Sequence, residues 1–469
     1  MKQLIERKQY MQILRNLKDQ NIIKVITGVR RCGKSTLLQM FADELMQNGV
    51  MQKQIQFYNF EDPDIYAIGN WKEIYDYIKV RLIPDKMNYI FLDEVQNVDV
   101  FQRLVDGLFI KKNVDLYVTG SNAYLLSGEL ATLLTGRYIE TEVLPFSYIE
   151  YVDFMNAYSE KLQKNESFRN SDNQLKSNKL KRIFNKLLKS HKTENFGNLQ
   201  SSNPQNSQES ENFAASQNLL KMTKSESFSD FIYYGGIPEA YNLLINNPRH
   251  SDNFVESVLN TIIEKDIFTR NEIRNKAVFQ KIIDFVLDSV GSYVSANSIV
   301  NALNSNMLKV DDKTVTNYLS YLSDAMLLYS VPRYDIKGKG LLQSLNKFYL
   351  SDTGFRRVRL GKAAGQDMGH LLENAVYLEL RRRNRKVYVG KFRDMEVDFV
   401  VTDHEGYTSY YQVAWTTMSD EVLDRELAAL NAIKDSNPKY LLTTDLDLNP
   451  VYNGIRKLNV VDWLLSKQE

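Results

Sequence analysis

An eight-residue segment near the start of the chain constrains its fold more than any other feature. It matches the pattern G-x-x-x-x-G-K-[ST] at every fixed position and reads Gly28-Val29-Arg30-Arg31-Cys32-Gly33-Lys34-Ser35. The apolar run 24–29 leads into this segment, and a helical pattern over 35–46 follows it. This order of strand, glycine-rich loop and helix predicts a phosphate-binding loop, because backbone N–H groups and the helix N-terminus both attract phosphate.

The loop residues predict ATP and Mg²⁺ as cofactors. Lys34 is expected to bridge the β- and γ-phosphates, and the Ser35 hydroxyl is expected to bind the metal. Arg30 and Arg31 are available as local positive charge, and Cys32 is interpreted as a small structural residue. The predicted nucleotide contacts are Gly28, Val29, Arg30, Arg31, Cys32, Gly33, Lys34, Ser35 and Thr36.

Two carboxylates follow a second apolar run, 89–92. Asp93, at the C-terminal end of this predicted strand, is expected to hold the hydration shell of Mg²⁺. Glu94 is expected to polarise the attacking water as a general base. An apolar run that ends in Asp-Glu is weak evidence alone, but after a phosphate-binding loop it favours ATP hydrolysis over nucleotide binding alone.

Two further candidates lie beyond the predicted strand 116–119. Asn122, in the polar tip of that strand, is a catalytic candidate that would position the γ-phosphate or its water. Arg137 offers a cation for the charge that develops in the transition state. An ordinary ion pair with an acid at the domain surface is an equally good interpretation of Arg137.

Composition limits the kind of protein further. The chain has 469 residues, with 59 Lys and Arg against 58 Asp and Glu, and a single cysteine. This charge balance excludes a strongly basic protein that coats nucleic acid and an acidic disordered protein. The cysteine count excludes a disulfide framework. Since neither an apolar leader nor a membrane-length run is present, we expect a cytoplasmic location and no membrane partner.

Periodicity and composition divide the chain into four parts. Residues 1–157 alternate β-rich and helical runs, the pattern of an α/β parallel sheet. Residues 158–227 are rich in Asn, Ser, Gln and Lys and are predicted to be a disordered spacer. Residues 228–352 read as three helices and a hairpin, the composition of a winged helix. Residues 353–469 return to mixed helices and strands.

The predicted winged-helix-like part leaves its partner open. Lys313, Thr314 and Asn317 share a polar helix face, and Lys337 and Lys339 lie at the hairpin tip. These residue types can contact phosphates and base edges in DNA. Such modules also contact proteins or cover ATPase sites, so a protein partner is an alternative.

Several motifs together resemble those of the prokaryotic AAA+-type ATPases that carry a C-terminal domain of uncharacterised function. The motifs are Gly28–Thr36, Phe91–Gln96, Thr119–Asn122, Leu134–Arg137, Tyr234–Glu239, Leu350–Gly354 and Leu372–Asn374. The resemblance covers nearly the whole chain outside the spacer. It implies an α/β AAA+ core with a parallel P-loop sheet, a winged-helix-like helical domain and a small α/β nuclease-like domain. It also implies that Ser121 or Asn122 is a sensor, and that Arg137 is an arginine finger acting on a neighbouring subunit of a homo-oligomer.

The last part resembles the PD-(D/E)XK nuclease fold but departs from its pattern. Glu373 on a helix and Asp398 on a strand match two of the expected metal ligands. Gln412 and Ala414 stand where the fold has Glu and Lys, and an amide is a poorer Mg²⁺ ligand than a carboxylate. We therefore expect a degenerate, non-cleaving domain.

Two details of this last part stay open in the sequence. The first is whether Lys391 or Arg393 takes the place of the missing lysine in space. The basic run 381–386 either faces a nucleic-acid backbone or is an ordinary solvated helix end.

The sequence thus predicts a Mg²⁺-dependent ATPase whose turnover switches the downstream modules. Two alternatives remain: a DNA-processing nuclease powered by ATP, and a slow nucleotide switch that binds a protein.

Overall fold

A computed structural model describes residues 3–121, 136–166, 224–245, 247–305, 308–363, 365–383, 385–447 and 450–466. The candidate Asn122 lies outside these described residues. So does the predicted spacer 158–227, except at its two ends, where one helix reaches Glu166 and the next begins at Lys224.

The N-terminal part is built on a five-stranded sheet in which every pairing is parallel. Its strands are β1 Ile23–Thr27, β2 Ile55–Asn59, β3 Asn88–Asp93, β4 Val114–Thr119 and β5 Tyr138–Glu142. The strand order is β2-β3-β4-β1-β5, so β4 lies between the strand of the phosphate-binding loop and the strand of the two acids. This confirms the predicted P-loop type of α/β fold.

Helices cover both faces of this sheet, as the near-continuous apolar strands predict. They are α1 Lys8–Leu17, α2 Lys34–Gln47, α3 Pro63–Tyr66, α4 Trp71–Lys79 and α5 Phe101–Phe109. A further helix, α6 Tyr148–Glu166, follows β5 and packs in the core of the C-terminal part. Alternate residues of β3 point to opposite faces. Phe91 packs in the core formed with α1 and α2, whereas Ile90 and Leu92 pack in the core formed with α4 and α5.

A helical part follows. Its buried apolar residues from Val255 to Leu322 continue the core of α1 and α2, whereas Phe228 and Ile232 pack in the core of α6. It contains α7 Lys224–Tyr234, α8 Pro238–Leu244, α9 Pro248–Thr261, a π-helix Ile262–Phe268, α10 Lys276–Asp288, α11 Ala296–Ser305 and α12 Asp312–Asp324. The hairpin β7 Leu328–Asp335 and β8 Gly340–Leu350 comes next. A two-residue strand, β6 Tyr293–Val294, pairs antiparallel with β8.

The C-terminal part extends this hairpin into a nine-stranded sheet. It adds α13 Thr353–Leu360, α14 Met368–Arg382, β9 Lys386–Phe392, β10 Met395–Thr402, β11 Thr408–Ala414, α15 Asp420–Ala432, β12 Lys439–Thr443, β13 Val451–Tyr452, β14 Ile455–Asn459 and α16 Val460–Leu465. The strand order is β13-β14-β12-β11-β10-β9-β7-β8-β6. Because β7 pairs with β9, the sheet runs across the boundary predicted at 352/353. The four domain limits themselves stay predictions.

Among the described residues, no helix combines the length and the apolar character needed to cross a membrane.

Candidate nucleotide site

The phosphate-binding loop connects β1 to α2 and needs glycine at both of its fixed Gly positions. Gly28 and Gly33 have φ angles of +145° and +106°, in the region that favours glycine. A Cβ atom at Gly28 would lie 2.2 Å from the carbonyl oxygen of Val143, just beyond β5. Gly33 directly precedes the first residue of α2, so the helix N-terminus opens toward the loop.

Lys34, the first residue of α2, places its ammonium inside the loop. Its Nζ atom donates a 2.9 Å hydrogen bond to the carbonyl oxygen of Gly28 and lies 3.7 Å from Oε1 of Glu94. The side chain is only 3% exposed. The loop, Lys34 and Glu94 therefore lie together, and the catalytic roles of the two side chains stay predictions.

Asp93 is held at the end of β3 by neighbours from α2 and β4. The Thr119 hydroxyl donates a 2.5 Å hydrogen bond to Oδ1 of Asp93, and the Ser35 side chain also hydrogen-bonds this carboxylate. Burial raises the pKa of Asp93 above its usual value, although these hydrogen bonds oppose the shift. A hydroxyl and a carboxylate lie side by side here, and these are ligand types that Mg²⁺ prefers.

Glu94 has the opposite electrostatic environment. Burial would raise its pKa, but the positive charges of Lys34 and Arg30 outweigh burial and hold the pKa below its usual value. Gln96 Nε2 donates a 2.5 Å hydrogen bond to Oε2 of Glu94, and the Glu94 backbone N–H donates to the Thr119 hydroxyl at 2.9 Å. Glu94 is thus oriented and ionised at neutral pH.

Arg30 links the loop to the helical part of the molecule, which the sequence analysis missed. Its guanidinium donates hydrogen bonds of 3.0 and 2.9 Å to the two carboxylate oxygens of Asp266, on the π-helix. A third hydrogen bond, of 2.8 Å, reaches Glu61. The Ser121 hydroxyl, at the tip of β4, lies 3.5 Å from Oδ1 of Asp266. No local signal could reveal Asp266, because it lies 236 positions from Arg30.

The remaining predicted nucleotide contacts of the loop differ in how far their side chains are buried. Val29 and Cys32 are buried in the core, and burial raises the pKa of the Cys32 thiol. The carbonyl oxygen of Cys32 accepts a 3.0 Å hydrogen bond from Arg7, a second residue the sequence analysis missed. Arg31 is exposed, and Thr36 is half-buried in the first turn of α2.

Arg137 lies away from the phosphate-binding loop of its own chain. It precedes β5, whose first residue Tyr138 pairs with Ile23 at the start of β1. The loop follows the other end of this five-residue strand, which puts about 16 Å between the two positions. The guanidinium instead contacts Asp106 on α5 at 2.8 Å, with both side chains partly exposed.

In the C-terminal part, Glu373 and Asp398 do come together, but around Lys347 rather than Lys391 or Arg393. Lys347 Nζ lies 2.9 Å from Glu373 Oε1 and 3.9 Å from Asp398 Oδ1. Gln412 donates a 2.9 Å hydrogen bond to Glu426 through Nε2.

Arginines of the basic run 381–386 are engaged within the chain. Arg381 pairs with Glu142, Arg382 and Arg383 pair with Glu379, and Arg385 pairs with Asp403.

Comparison with known proteins gives the family of the chain. Residues 20–152 match the model of an AAA domain, and residues 225–365 match a domain of unknown function, DUF8612. A protein of Haemophilus influenzae described as uncharacterised is 31% identical over 466 residues, 99% of this chain and 100% of that protein. An uncharacterised protein of Methanocaldococcus jannaschii is 27% identical and covers 88% of this chain and 79% of its own length.

The similarity to solved structures is more distant. The Walker-type ATPase PABY2304 of Pyrococcus abyssi has a TM-score of 0.43 at 13% identity, covering 76% of this chain and 96% of its own. The ORC1 protein of Aeropyrum pernix, solved in complex with DNA, has a TM-score of 0.31 at 12% identity, covering 80% of this chain and 94% of its own. The family models and the near-full-length relative carry the conclusion: the chain belongs to a family of AAA-type P-loop ATPases that have a separate C-terminal domain of unknown function.

Proposed function

We propose that the chain is a Mg²⁺-dependent ATPase whose nucleotide site controls the position of its helical part. The observation that carries the proposal is the meeting of Lys34, Asp93 and Glu94 at one edge of the parallel sheet. An ammonium for phosphate oxygens, a carboxylate beside a hydroxyl and a second, ionised carboxylate are the groups that hydrolysis of a phosphoanhydride requires.

Ser35 and Asp93 would hold Mg²⁺, because their oxygens are already neighbours at the start of α2. When bound, the metal supplies positive charge that neutralises the β- and γ-phosphate oxygens. The loop N–H groups and Lys34 orient the γ-phosphoryl group. Glu94 accepts the proton of the attacking water, and Gln96 fixes the direction in which its carboxylate points.

Coupling to the helical part is carried by Arg30. Its guanidinium is part of the phosphate-binding loop, yet two of its hydrogen bonds go to Asp266 on the π-helix. A γ-phosphate entering the loop competes with Asp266 for the same donors, since both are anions that pair with a guanidinium fork. Nucleotide binding therefore changes the attachment of the π-helix, and hydrolysis restores it.

The Lys34→Ala variant tests the ATPase proposal. We expect its kcat/KM for ATP to fall by about two orders of magnitude or more, because a positioned charge at the transferring phosphoryl group is lost. The matched control is Lys72→Ala on α4, whose side chain is 53% exposed and pairs within its own helix. Undiminished hydrolysis by Lys34→Ala would overturn the proposal.

A second candidate function is DNA contact by the helical part, which we propose to be winged-helix-like. The three helices α10, α11 and α12 precede the β7–β8 hairpin, and β6 pairs with β8. Lys313 and Asn317 are exposed on α12, and Lys337 and Lys339 are exposed at the hairpin tip. These four side chains favour a nucleic-acid backbone as the partner over an apolar protein surface.

In this proposal Arg137 contributes to hydrolysis only at the nucleotide site of a second copy of the chain. Its distance from the loop of its own chain means that a role as an arginine finger requires a second copy, so the predicted homo-oligomer stays a proposal.

A further inference from the structure

A buried charge cluster lies where the C-terminal sheet meets the β7–β8 hairpin. At its centre is Lys347 on β8, whose side chain is 5% exposed. Three carboxylates surround it: Glu373 on α14, with its Oε1 2.9 Å from Nζ, Glu396 on β10 at 2.5 Å, and Asp398 on β10 at 3.9 Å. One carboxylate comes from α14 and two come from β10, so the ammonium is enclosed by acidic residues from two elements other than its own strand.

Further hydrogen bonds complete the cluster and show that it is organised around a cation. The Tyr349 hydroxyl donates to Oε1 of Glu373, and the Val413 backbone N–H donates to Oδ2 of Asp398 at 2.8 Å. Three acidic side chains within 4 Å of the Nζ atom are surroundings that favour the charged form of a lysine.

The ammonium stands where two of the predicted metal ligands converge. The Glu373 and Asp398 oxygens approach Nζ of Lys347 rather than an open position between them. Among the residues that the structure describes, no group of three His, Cys, Asp or Glu side chains is arranged to hold a metal ion. A fixed positive charge at this point repels a divalent cation and supplies part of the positive charge that the carboxylates would otherwise take from a metal.

We propose that the Lys347 ammonium takes the place of a divalent cation in this carboxylate cluster, so that the C-terminal part is a non-cleaving module clamped to the β7–β8 hairpin. The lysine comes from the strand that also pairs with β6, next to the helices α10 to α12. The helical part and the C-terminal sheet are thereby joined by an internal ion cluster as well as by the β7–β9 pairing. This inference does not depend on the ATPase proposal.

Direct Mn²⁺ binding tests the inference in the full-length chain without nucleotide. Free Mn²⁺ is followed by electron paramagnetic resonance in wild type, Lys347→Ala, Asp398→Asn and the double variant. We expect Asp398→Asn to leave the wild-type titration unchanged. The Lys347→Ala protein should bind one Mn²⁺ more than wild type, with an affinity at least tenfold above any binding by wild type, because three carboxylates lose their cation. The double variant should lack this additional Mn²⁺.

Two outcomes would overturn the inference. The first is Mn²⁺ binding by wild type that disappears in Asp398→Asn, or Mn²⁺-dependent plasmid cleavage that disappears in the same variant. The second is a Lys347→Ala protein that gains no Mn²⁺ although its circular dichroism spectrum and thermal unfolding match those of wild type. The Mn²⁺ titrations of wild type and Asp398→Asn test the inference even if Lys347→Ala does not fold.

Discussion

Asp93 and Glu94 are adjacent in the chain, yet their pKa values shift in opposite directions. Burial raises the pKa of Asp93, whereas Lys34 and Arg30 lower that of Glu94 despite its burial. Different environments give neighbouring carboxylates different tasks. Asp93 is fixed by hydroxyl groups beside Ser35, and Glu94 is kept ionised beside the phosphate-binding loop.

At the scale of single residues, the sequence reveals the site wherever chemistry follows a local pattern. Lys34, Ser35, Asp93 and Glu94 each follow a strand or open a helix within a short motif, and the structure brings them together as expected. Asp266 was missed because its contact to the loop spans 236 positions. Arg7 was missed because it lies before α1 and outside any motif, although only 25 positions separate it from Cys32. Their charges alone give no sign of a partner.

Asp352 explains why two of the family-like motifs, 234–239 and 350–354, meet in space. Its carboxylate accepts hydrogen bonds from the backbone N–H groups of Gly236, at 2.5 Å, and Gly354, at 2.8 Å. The side chain is buried in the turn that joins α7 to α8 and at the start of α13. Burial raises its pKa to about 7, although the two N–H groups and Arg357 act in the opposite direction.

The raised pKa of Asp352 predicts a pH dependence of stability. Between the unfolded value near 3.8 and the folded value of about 7, the folded state keeps a proton that the unfolded state has lost. This contribution is therefore complete at low pH and disappears as pH rises through 7. We expect the wild-type free energy of unfolding to fall from pH 5 to pH 8 by about 2 kcal/mol more than that of Asp352→Asn. Denaturant titration at both pH values measures it, and equal pH dependence in the two proteins would contradict it.

At the scale of secondary structure elements, apolar runs identify most of the fold. Strands β1, β3 and β4 overlap the apolar runs 24–29, 89–92 and 116–119 and were predicted from them. Strand β5 was not, because it is an edge strand with an exposed Ile139 and Glu140 and only one buried residue, Thr141. Pairing with β1, rather than its own hydrophobicity, makes it a strand. Strand β6 was missed because two residues are too few to show an alternating pattern, and only its pairing with β8 identifies it.

The contact between the π-helix and the loop predicts a specific coupling. Asp266→Asn weakens its hold on Arg30, so we expect ATP to bind about fivefold more tightly in this variant than in wild type. In the Arg30→Ala background the same substitution should leave the ATP affinity unchanged. Titration of a fluorescent ATP analogue into the four proteins of this double-mutant cycle measures the coupling.

The matched control for that cycle is Glu61→Gln. Glu61 contacts the same guanidinium at 2.8 Å, but it belongs to the ATPase part and is 39% exposed. Its effect should be smaller because solvent screens an exposed pair. An Asp266→Asn effect of equal size with and without Arg30 would exclude this route of coupling.

The exposed face of α12 predicts salt-dependent DNA binding. Replacing Lys313 and Lys337 with Ala should weaken binding of a fluorescent duplex at low salt and lower the slope of log K against log salt by about 2. Fluorescence anisotropy at several salt concentrations measures it. Replacing Lys72 and Lys79 on α4 with Ala serves as the control of equal charge, since both are exposed. A wild-type protein without measurable duplex binding would rule out DNA as the partner.

At the scale of the whole molecule, the contacts between parts were the least predictable feature. The hairpin was expected to belong to a separate module, but β7 pairs with β9 and extends the C-terminal sheet. Arg381 and Arg382 connect α14 to the ATPase part through Glu142 and the carbonyl oxygen of Pro145. Such contacts depend on how complete elements pack, which a short sequence window does not encode.

These contacts give the ATPase account its physical basis. The nucleotide site touches the helical part through Arg30, and the C-terminal part touches the segment after β5 through α14. The charged side chains Arg30 and Arg382 thus each have a defined partner on another part of the chain, as the proposed coupling requires.

The most direct test of the account is ATP turnover by the Glu94→Gln variant in the presence of Mg²⁺. The amide keeps the shape of the carboxylate but cannot accept the proton of water. We predict that ATP binds within a few-fold of the wild-type affinity while single-turnover hydrolysis slows by about 10²–10⁴-fold. Hydrolysis at the wild-type rate by Glu94→Gln would contradict the account.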